Sequence, residues 1–174
     1  MMADAPAGKS WLKYAAVTVP LILGGGFLSG WLSGSGYGNP WFDALDKPFF
    51  MPPGWAFPVA WSTLYVMLGF ALALILSEPP SPRRRNGLIL FFVQLALNFA
   101  WSPIFFAGHD ITLGKLTIFV MTALAAAAAG QFYRIRPLAG LLMLPYLAWL
   151  IFAASLNAAI EGLNPGAGRS LLGF

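Results

Sequence analysis

The 174-residue sequence contains no cysteine and only one histidine. Without cysteine the chain can form no disulfide, no thiolate metal site and no cysteine nucleophile. The histidine, His109, is followed by Asp110 in a predicted loop, and we interpret the pair as a solvated turn rather than half of a catalytic site. We therefore predict neither catalytic residues nor a metal site.

Charged residues are scarce, at 9% of the chain against about 25% in soluble domains. Hydrophobic residues make up 59%, and the mean hydropathy is +0.73. The net charge is +4, but the basic residues lie at the ends of apolar runs and not on one face. We interpret them as topology signals and partners of membrane lipid headgroups, and predict no nucleic-acid binding.

Five runs lack charged side chains, and each is long enough to cross the hydrocarbon core of a bilayer as a helix. The runs are Tyr14 to Ser33, Phe57 to Ser77, Leu88 to Ala107, Leu116 to Tyr133 and Leu138 to Ile160. Continuously apolar stretches within them exclude the alternation of a transmembrane β-barrel. The sequence thus predicts an all-α integral membrane protein, a bundle of five transmembrane helices.

The domain organisation follows from these runs. We predict an N-terminal tail at 1–10, a five-helix transmembrane domain at 11–163 and a C-terminal tail at 164–174. The first run could begin as a cleaved signal peptide, but it continues through Trp31 for a full span. The longest connection, 34–56, joins helices one and two and is rich in glycine and proline; loops of that length are usually functional.

Basic residues are distributed unequally between the two sides of the predicted bundle. One side carries Lys9, Lys13, Arg83, Arg84, Arg85, Arg134 and Arg136, and the other carries Lys47, Lys115 and Arg169. Because basic loops stay in the cytoplasm, this asymmetry predicts a cytoplasmic N-terminus.

Proline occurs in four of the runs, at Pro20, Pro58, Pro103 and Pro145. A proline inside a membrane helix removes a backbone hydrogen bond and can kink the helix, which would splay the bundle and open a cavity. Toleration of proline, with Pro58 in a first helical turn, is an equally good interpretation.

Polar and aromatic residues enter the runs in a pattern. Gln94, Asn98 and Trp101 share one helical face, which we expect to point into the bundle as an interhelical clamp or as a cavity wall. Trp61 and Trp149 also lie deep in their runs, where indole N–H groups need partners. No run contains an ionisable residue of the kind that proton relays and ion-coupled pumps use.

Three segments resemble one family. Trp41-Phe-Asp-Ala-Leu-Asp-Lys-Pro48, followed by Pro52-Pro-Gly-Trp-Ala-Phe-Pro58 and Trp61, resembles the loop and second helix of the translocator-protein, or tryptophan-rich sensory protein, family. Asn98-Phe-Ala-Trp-Ser102 resembles its third helix, and Pro145-Tyr-Leu-Ala-Trp149 its fifth.

The resemblance implies a ligand pocket under the 34–56 loop, lined by aromatic residues of helices two, three and five. Carried over to this chain, the pocket residues are Trp41, Phe42, Trp61, Tyr65, Asn98, Trp101, Trp149 and Ala153. Phe42 and Phe50 stand where many family members have Tyr and Trp, so this loop has one hydroxyl and one indole fewer than in those members, and the polar contacts that the family assigns to them are not carried over.

The resemblance further implies a binding protein for flat hydrophobic molecules that acts as a sensor, regulator or carrier. Porphyrins, as protoporphyrin or haem, are the expected ligands, with aromatic rings stacking on the macrocycle and Lys or Arg meeting the propionates. With one histidine in a loop, we expect no tightly bound cofactor and no coordination through haem iron. Sterols are possible, but the sterol-recognition pattern of animal members is missing because no Tyr follows Asn157.

Two other functions compete with simple binding. One is light-dependent porphyrin degradation with Trp61 or Trp149 as a redox partner, and the other is regulation of a protein partner through Arg83 to Arg85. The family resemblance favours a homodimer. Small residues four apart, at Gly26, Gly30 and Gly34 on helix one and at Ala96 and Ala100 on helix three, could form its interface or serve intrachain packing.

Overall fold

The computed structural model describes residues 10–168, and this part of the chain is helical, with no strand. The helices are α1 (Ser10–Leu32), α2 (Pro40–Ala44), α3 (Ala56–Leu76), α4 (Pro82–Ser102), a π-helical turn (Pro103–Ala107), α5 (Ile111–Ile135), α6 (Pro137–Leu141) and α7 (Leu144–Leu163). Lys9, Arg169 and most of both predicted tails lie outside the described residues.

Five stretches are long and apolar enough to span a membrane. They are Trp11–Leu32, Ala56–Leu76, Pro82–Ala107, Ile111–Ile135 and Pro137–Leu163. They coincide with the five predicted runs, and most extend a few residues beyond them. The helix can continue into the flanking polar residues because their backbone N–H and C=O groups still form hydrogen bonds within it. The prediction of an all-α, multi-pass integral membrane protein is confirmed.

Only two of the four prolines coincide with an interruption of a span. α1 is continuous through Pro20, and Pro58 lies in the first turn of α3, where no hydrogen bond is lost. Pro103 begins the π-helical turn that ends the third span. Pro145 lies in the first turn of α7, after a break that divides the fifth span into α6 and α7. Of the two interpretations that the sequence left open, toleration of proline therefore holds at Pro20 and Pro58.

A close helix contact joins α1 to α3 and depends on glycine. A Cβ added at Gly69 would lie 2.6 Å from the Cα of Val19, so the two backbones touch there. The Thr18 hydroxyl on α1 donates a hydrogen bond to the Gly69 carbonyl across this contact, at 2.8 Å. Small residues allow this approach. The hydroxyl also lies 3.0 Å from the Tyr14 carbonyl of its own helix, so the bond to Gly69 adds a contact between helices to one within α1.

The small residues proposed as an interface on helix one have different positions in the fold. A Cβ at Gly26 would lie 2.1 Å from the Tyr65 ring, so Gly26 serves intrachain packing. Gly34 lies beyond the end of α1 with a φ of 59°, a left-handed conformation suited to glycine. The expectation that Gly34 belongs to a motif on helix one was therefore wrong.

On α4, by contrast, Ala96 is exposed beside the exposed side chains of Phe92 and Val93. We predict that this face forms the homodimer interface and that Ala96→Leu shifts the detergent-solubilised protein from dimer to monomer. Exposed Ala127 provides the control, because Ala127→Leu adds the same volume at an exposed position of a different helix, α5. Analytical ultracentrifugation in detergent measures both masses, and an unchanged mass for Ala96→Leu would exclude this interface.

The end of the bundle that carries the arginine run is held by polar contacts. Arg84 donates from Nε to the carbonyl of Ile75 at 2.9 Å and from Nη2 to that of Leu76 at 3.1 Å, which satisfies the C-terminal end of α3. Arg136 pairs with Glu78 at 3.1 Å. Arg84 is therefore a helix-capping residue, which leaves the exposed Arg83 and Arg85 to face the headgroup region.

The charge asymmetry predicts that Arg85 faces the cytoplasm and that Ser35, which follows the first span, faces the opposite side. Because the chain has no cysteine, Arg85→Cys and Ser35→Cys each introduce a single thiol at an exposed position. In intact cells, a membrane-impermeant maleimide is expected to label the Ser35 variant alone. Labelling of both variants from outside would contradict the predicted orientation.

Candidate ligand-binding site in the helix bundle

Four aromatic side chains from α3 and α7 form one cluster inside the bundle, here called the inner cluster: Trp61, Tyr65, Tyr146 and Trp149. Trp61 stacks on Tyr65 with ring centroids 5.3 Å apart and meets Trp149 edge to face at 6.3 Å. It also lies 6.5 Å from Tyr146. The four-residue spacing of Trp61 and Tyr65 on α3, and the three-residue spacing of Tyr146 and Trp149 on α7, place each pair on one helical face.

A directed chain of hydrogen bonds lies beneath these rings and joins three helices. The Tyr65 hydroxyl donates to Asn98 Oδ1 at 2.7 Å, Asn98 Nδ2 donates to the Tyr146 hydroxyl at 3.0 Å, and that hydroxyl donates to Gln94 Oε1 at 2.7 Å. Asn98 and Gln94 are both buried. Asn98 thus links α4 to both α3 and α7 as an interhelical clamp.

Two buried donors at this site have no hydrogen-bond partner among the described residues. They are the indole Nε1 of Trp149, in the inner cluster, and the amide Nε2 of Gln94, at the end of the hydrogen-bond chain. A buried donor without an acceptor is costly, and native proteins usually satisfy such groups. The Trp149 indole therefore offers a hydrogen bond to an acceptor that enters between the helices.

Trp41 and Phe42, which were predicted to line the same pocket, lie in a separate outer cluster. Trp41 stacks on His109 with centroids 4.5 Å apart and meets Phe105 edge to face at 5.4 Å. Phe42 is buried against Phe105 and Phe106 of the π-helical turn. These contacts also show that His109, interpreted from the sequence as a solvated turn residue, packs against an indole.

The 34–56 loop is fixed to the end of α7 by polar contacts. The Asp46 N–H donates to Asn164 Oδ1, and Asn164 Nδ2 donates back to the Asp46 carbonyl, both at 2.8 Å. The Trp41 indole donates to the Ala167 carbonyl at 3.1 Å. Phe50 reaches Phe152, with centroids 6.4 Å apart. The loop is therefore held against the end of α7. Its polar contacts there come from Asp46 and Trp41.

Trp101 lies between the two clusters, and Ala153 lies beside the inner cluster. Trp101 stacks on Phe105 at 5.0 Å and also packs against the core that contains the inner cluster. Ala153 packs against that same core, one turn after Trp149. Phe152 contacts Trp149 at 5.5 Å. The structure thus brings Trp61, Tyr65, Asn98 and Trp149 together, with Ala153 beside them, and separates Trp41 and Phe42 from them.

Sequence reasoning missed Tyr146, which contacts Trp61 and connects Asn98 to Gln94. Its position three residues before Trp149 was the available signal, since residues three apart share a helical face.

The lysines nearest the loop side of the bundle already have partners. Lys47 donates to three carbonyls of its own loop, and Lys115 forms an ion pair with Glu161.

Comparison with known proteins places these motifs in a family. The model of the TspO/MBR family matches residues 16–163. The translocator protein of Sus scrofa is 38% identical over 158 residues, which cover 90% of this chain and 92% of its own. Protein CrtK of Rhodobacter capsulatus is 37% identical over 127 residues, 72% of this chain and 79% of its own. The tryptophan-rich sensory protein of Cereibacter sphaeroides is 34% identical over 126 residues, 72% of this chain and 78% of its own. This chain therefore belongs to the TspO/MBR family.

Proposed function

We propose that this protein is a membrane-embedded binding protein for flat hydrophobic ligands, with porphyrins as the ligand class, and that it acts as a sensor or translocator. Relatives named translocator protein and tryptophan-rich sensory protein support a membrane sensory or translocator role. The inner cluster supports the ligand class, because Trp and Tyr rings provide wide apolar faces for stacking. The buried, unpartnered Trp149 indole is the observation that carries the proposal.

The ligand would have to enter between rings that contact one another. Trp61 lies against Tyr65 and Trp149, so a macrocycle that replaces one of these contacts keeps the rings in apolar surroundings. An acceptor atom on the ligand would satisfy the Trp149 N–H at the same time. Apolar pockets with a few placed polar groups are typical of small-molecule sites.

The basic residues expected to form ion pairs with the ligand are either already paired or distant from the loop. From the sequence we expected Lys or Arg to meet the porphyrin propionates. Lys47 is held by backbone carbonyls and Lys115 by Glu161, and Arg83 to Arg85 lie at the other end of their span from the π-helical turn that contacts Phe42. We therefore propose that stacking and the Trp149 hydrogen bond, rather than ion pairs, hold the ligand.

Titration of the purified protein with protoporphyrin tests this proposal. We expect a saturable shift of the porphyrin absorbance band, with one ligand per chain, beyond the shift in detergent micelles alone. Protoporphyrin dimethyl ester, which lacks the propionate charges, is expected to bind within about threefold of the free acid, a difference of roughly 0.7 kcal/mol. A shift no larger than that in empty micelles would contradict porphyrin binding. Loss of binding for the ester alone would show that ion pairs are required.

A further inference from the structure

A second group of unpartnered polar atoms lies near the loop-covered end of the bundle, apart from the inner cluster. Asn157 on α7 is 2% exposed, and neither Oδ1 nor Nδ2 of its amide has a hydrogen-bond partner among the described residues. The indole Nε1 of Trp101 on α4 is also buried without a partner there. An amide that is unpaired at both ends is unusual in a folded interior.

The unpartnered donors of these two residues face the same point on α5. A Cβ added at Gly114 would lie 3.3 Å from Asn157 Nδ2 and 3.5 Å from Trp101 Nε1. It would also lie 3.1 Å from Phe105 Cδ2, whose ring closes one side. Because Gly114 has no side chain, the space between the two donors stays open.

We infer that Asn157, Trp101 and Gly114 form a binding site for one hydroxyl oxygen, supplied by water or by an alcohol group. Asn157 and Trp101 together provide two donor nitrogens, the amide Nδ2 and the indole Nε1, and one acceptor, the amide Oδ1. A hydroxyl oxygen accepts two hydrogen bonds and donates one, so it satisfies all three groups. A carbonyl oxygen would leave Asn157 Oδ1 unpaired, and a cation would meet two donors.

The charged groups beside this site are paired with one another, and the inner cluster lies further along α7. Lys115, next to Gly114, pairs with Glu161, one turn beyond Asn157, and the Thr112 hydroxyl donates to the same carboxylate at 2.7 Å. Asn157 follows Trp149 by eight residues, about 12 Å along α7. The inference therefore stands whether or not the inner cluster binds a porphyrin.

Nuclear magnetic resonance of the 15N-labelled indoles in the full chain tests the site, with the Trp101 signal assigned by its loss in Trp101→Phe. In perdeuterated detergent we expect a cross-peak from the Trp101 indole proton to a bound hydroxyl. A cross-peak at the water frequency alone identifies water, and added cross-peaks from carbon-bound protons identify an alcohol. An indole proton that contacts neither, or contacts only the Asn157 amide, would overturn the inference.

Two glycine variants on α5 provide a matched pair. Gly114→Ala places a methyl between the two donors and is expected to abolish the hydroxyl cross-peak. Gly130→Ala, whose Cβ meets nothing within 4 Å, is expected to retain it. Retention of the cross-peak in folded Gly114→Ala would place the hydroxyl elsewhere.

Asn157→Leu tests the site without added bulk at Gly114. If a hydroxyl satisfies the amide, its replacement by leucine should lower the thermal midpoint by at least about 3 °C. If the amide is truly unpaired, leucine removes an unsatisfied group and the midpoint should rise. A higher midpoint for Asn157→Leu than for the wild type would therefore overturn the inference even if Gly114→Ala failed to fold.

Discussion

Trp149→Ala is expected to weaken protoporphyrin binding about tenfold or more, which corresponds to at least about 1.4 kcal/mol. The substitution removes the ring that contacts Trp61 at 6.3 Å and Phe57 at 6.1 Å, together with the unpartnered indole donor. Stacking of a base on an aromatic side chain is worth roughly 1 to 3 kcal/mol, and a porphyrin offers a larger face. Absorbance titration of each purified variant measures the effect.

Trp149→Phe separates the two contributions, because phenylalanine keeps an aromatic face and removes the donor. We expect its affinity to lie between those of the wild type and Trp149→Ala. Trp31, which is 70% exposed on α1, provides the matched control, and Trp31→Ala should bind as the wild type does. These affinities are compared only between variants whose thermal midpoints without ligand are similar, so that a loss of binding is not a loss of folding. Equal affinities of folded Trp149→Ala, Trp61→Ala and wild type would show that the ligand binds elsewhere.

Gly69→Ala is expected to destabilise the helix bundle at the contact between α1 and α3. Its Cβ would lie 2.6 Å from the Cα of Val19, and a backbone atom cannot turn away as a side chain can. α1 and α3 would have to separate, which also lengthens the hydrogen bond from Thr18 to the Gly69 carbonyl. Overpacking of this kind costs about 1 to 3 kcal/mol, so we expect the thermal midpoint to fall by about 5 to 10 °C.

Gly24→Ala is the matched control on the partner helix, since its Cβ would meet nothing within 4 Å. We expect its thermal midpoint in detergent to equal or slightly exceed that of the wild type, because alanine is the better helix former. A fall of the same size in both variants would mean that glycine flexibility, and not the α1–α3 contact, sets the stability.

The sequence was sufficient for the architecture because membrane helices must satisfy every backbone polar group within the helix. An apolar run of about 20 residues has few other ways to cross a bilayer. Helical periodicity also identified the inward face of α4, and Gln94 and Asn98 are indeed buried there. The α6–α7 break was harder to predict, because the same residue type, proline, is tolerated at Pro20 within a continuous helix.

The candidate site could be predicted only in part. Trp61, Tyr65, Asn98 and Trp149 meet because each lies on the inward face of its own helix, and a sequence periodicity reports such faces. Trp41 and Phe42 lie in a loop, where no periodicity applies. Their packing against His109 and Phe106 depends on how the loop is fixed to Asn164 at the C-terminal end of α7, more than 100 residues later in the sequence.

By itself, the sequence determined the number of spans, the inward face of α4 and the residue types available to a ligand, because these depend on composition and on local periodicity. Only the tertiary structure decided which polar atoms remain unpaired. Hydrogen bonding between helices depends on distances between residues far apart in the chain, such as Asn98 and Tyr146, which bond at 3.0 Å, or Trp101 and Asn157, which face one point beside Gly114 and find no partner among the described residues. A shift of a single helix by a fraction of its pitch would reassign those partners without changing one residue of the sequence.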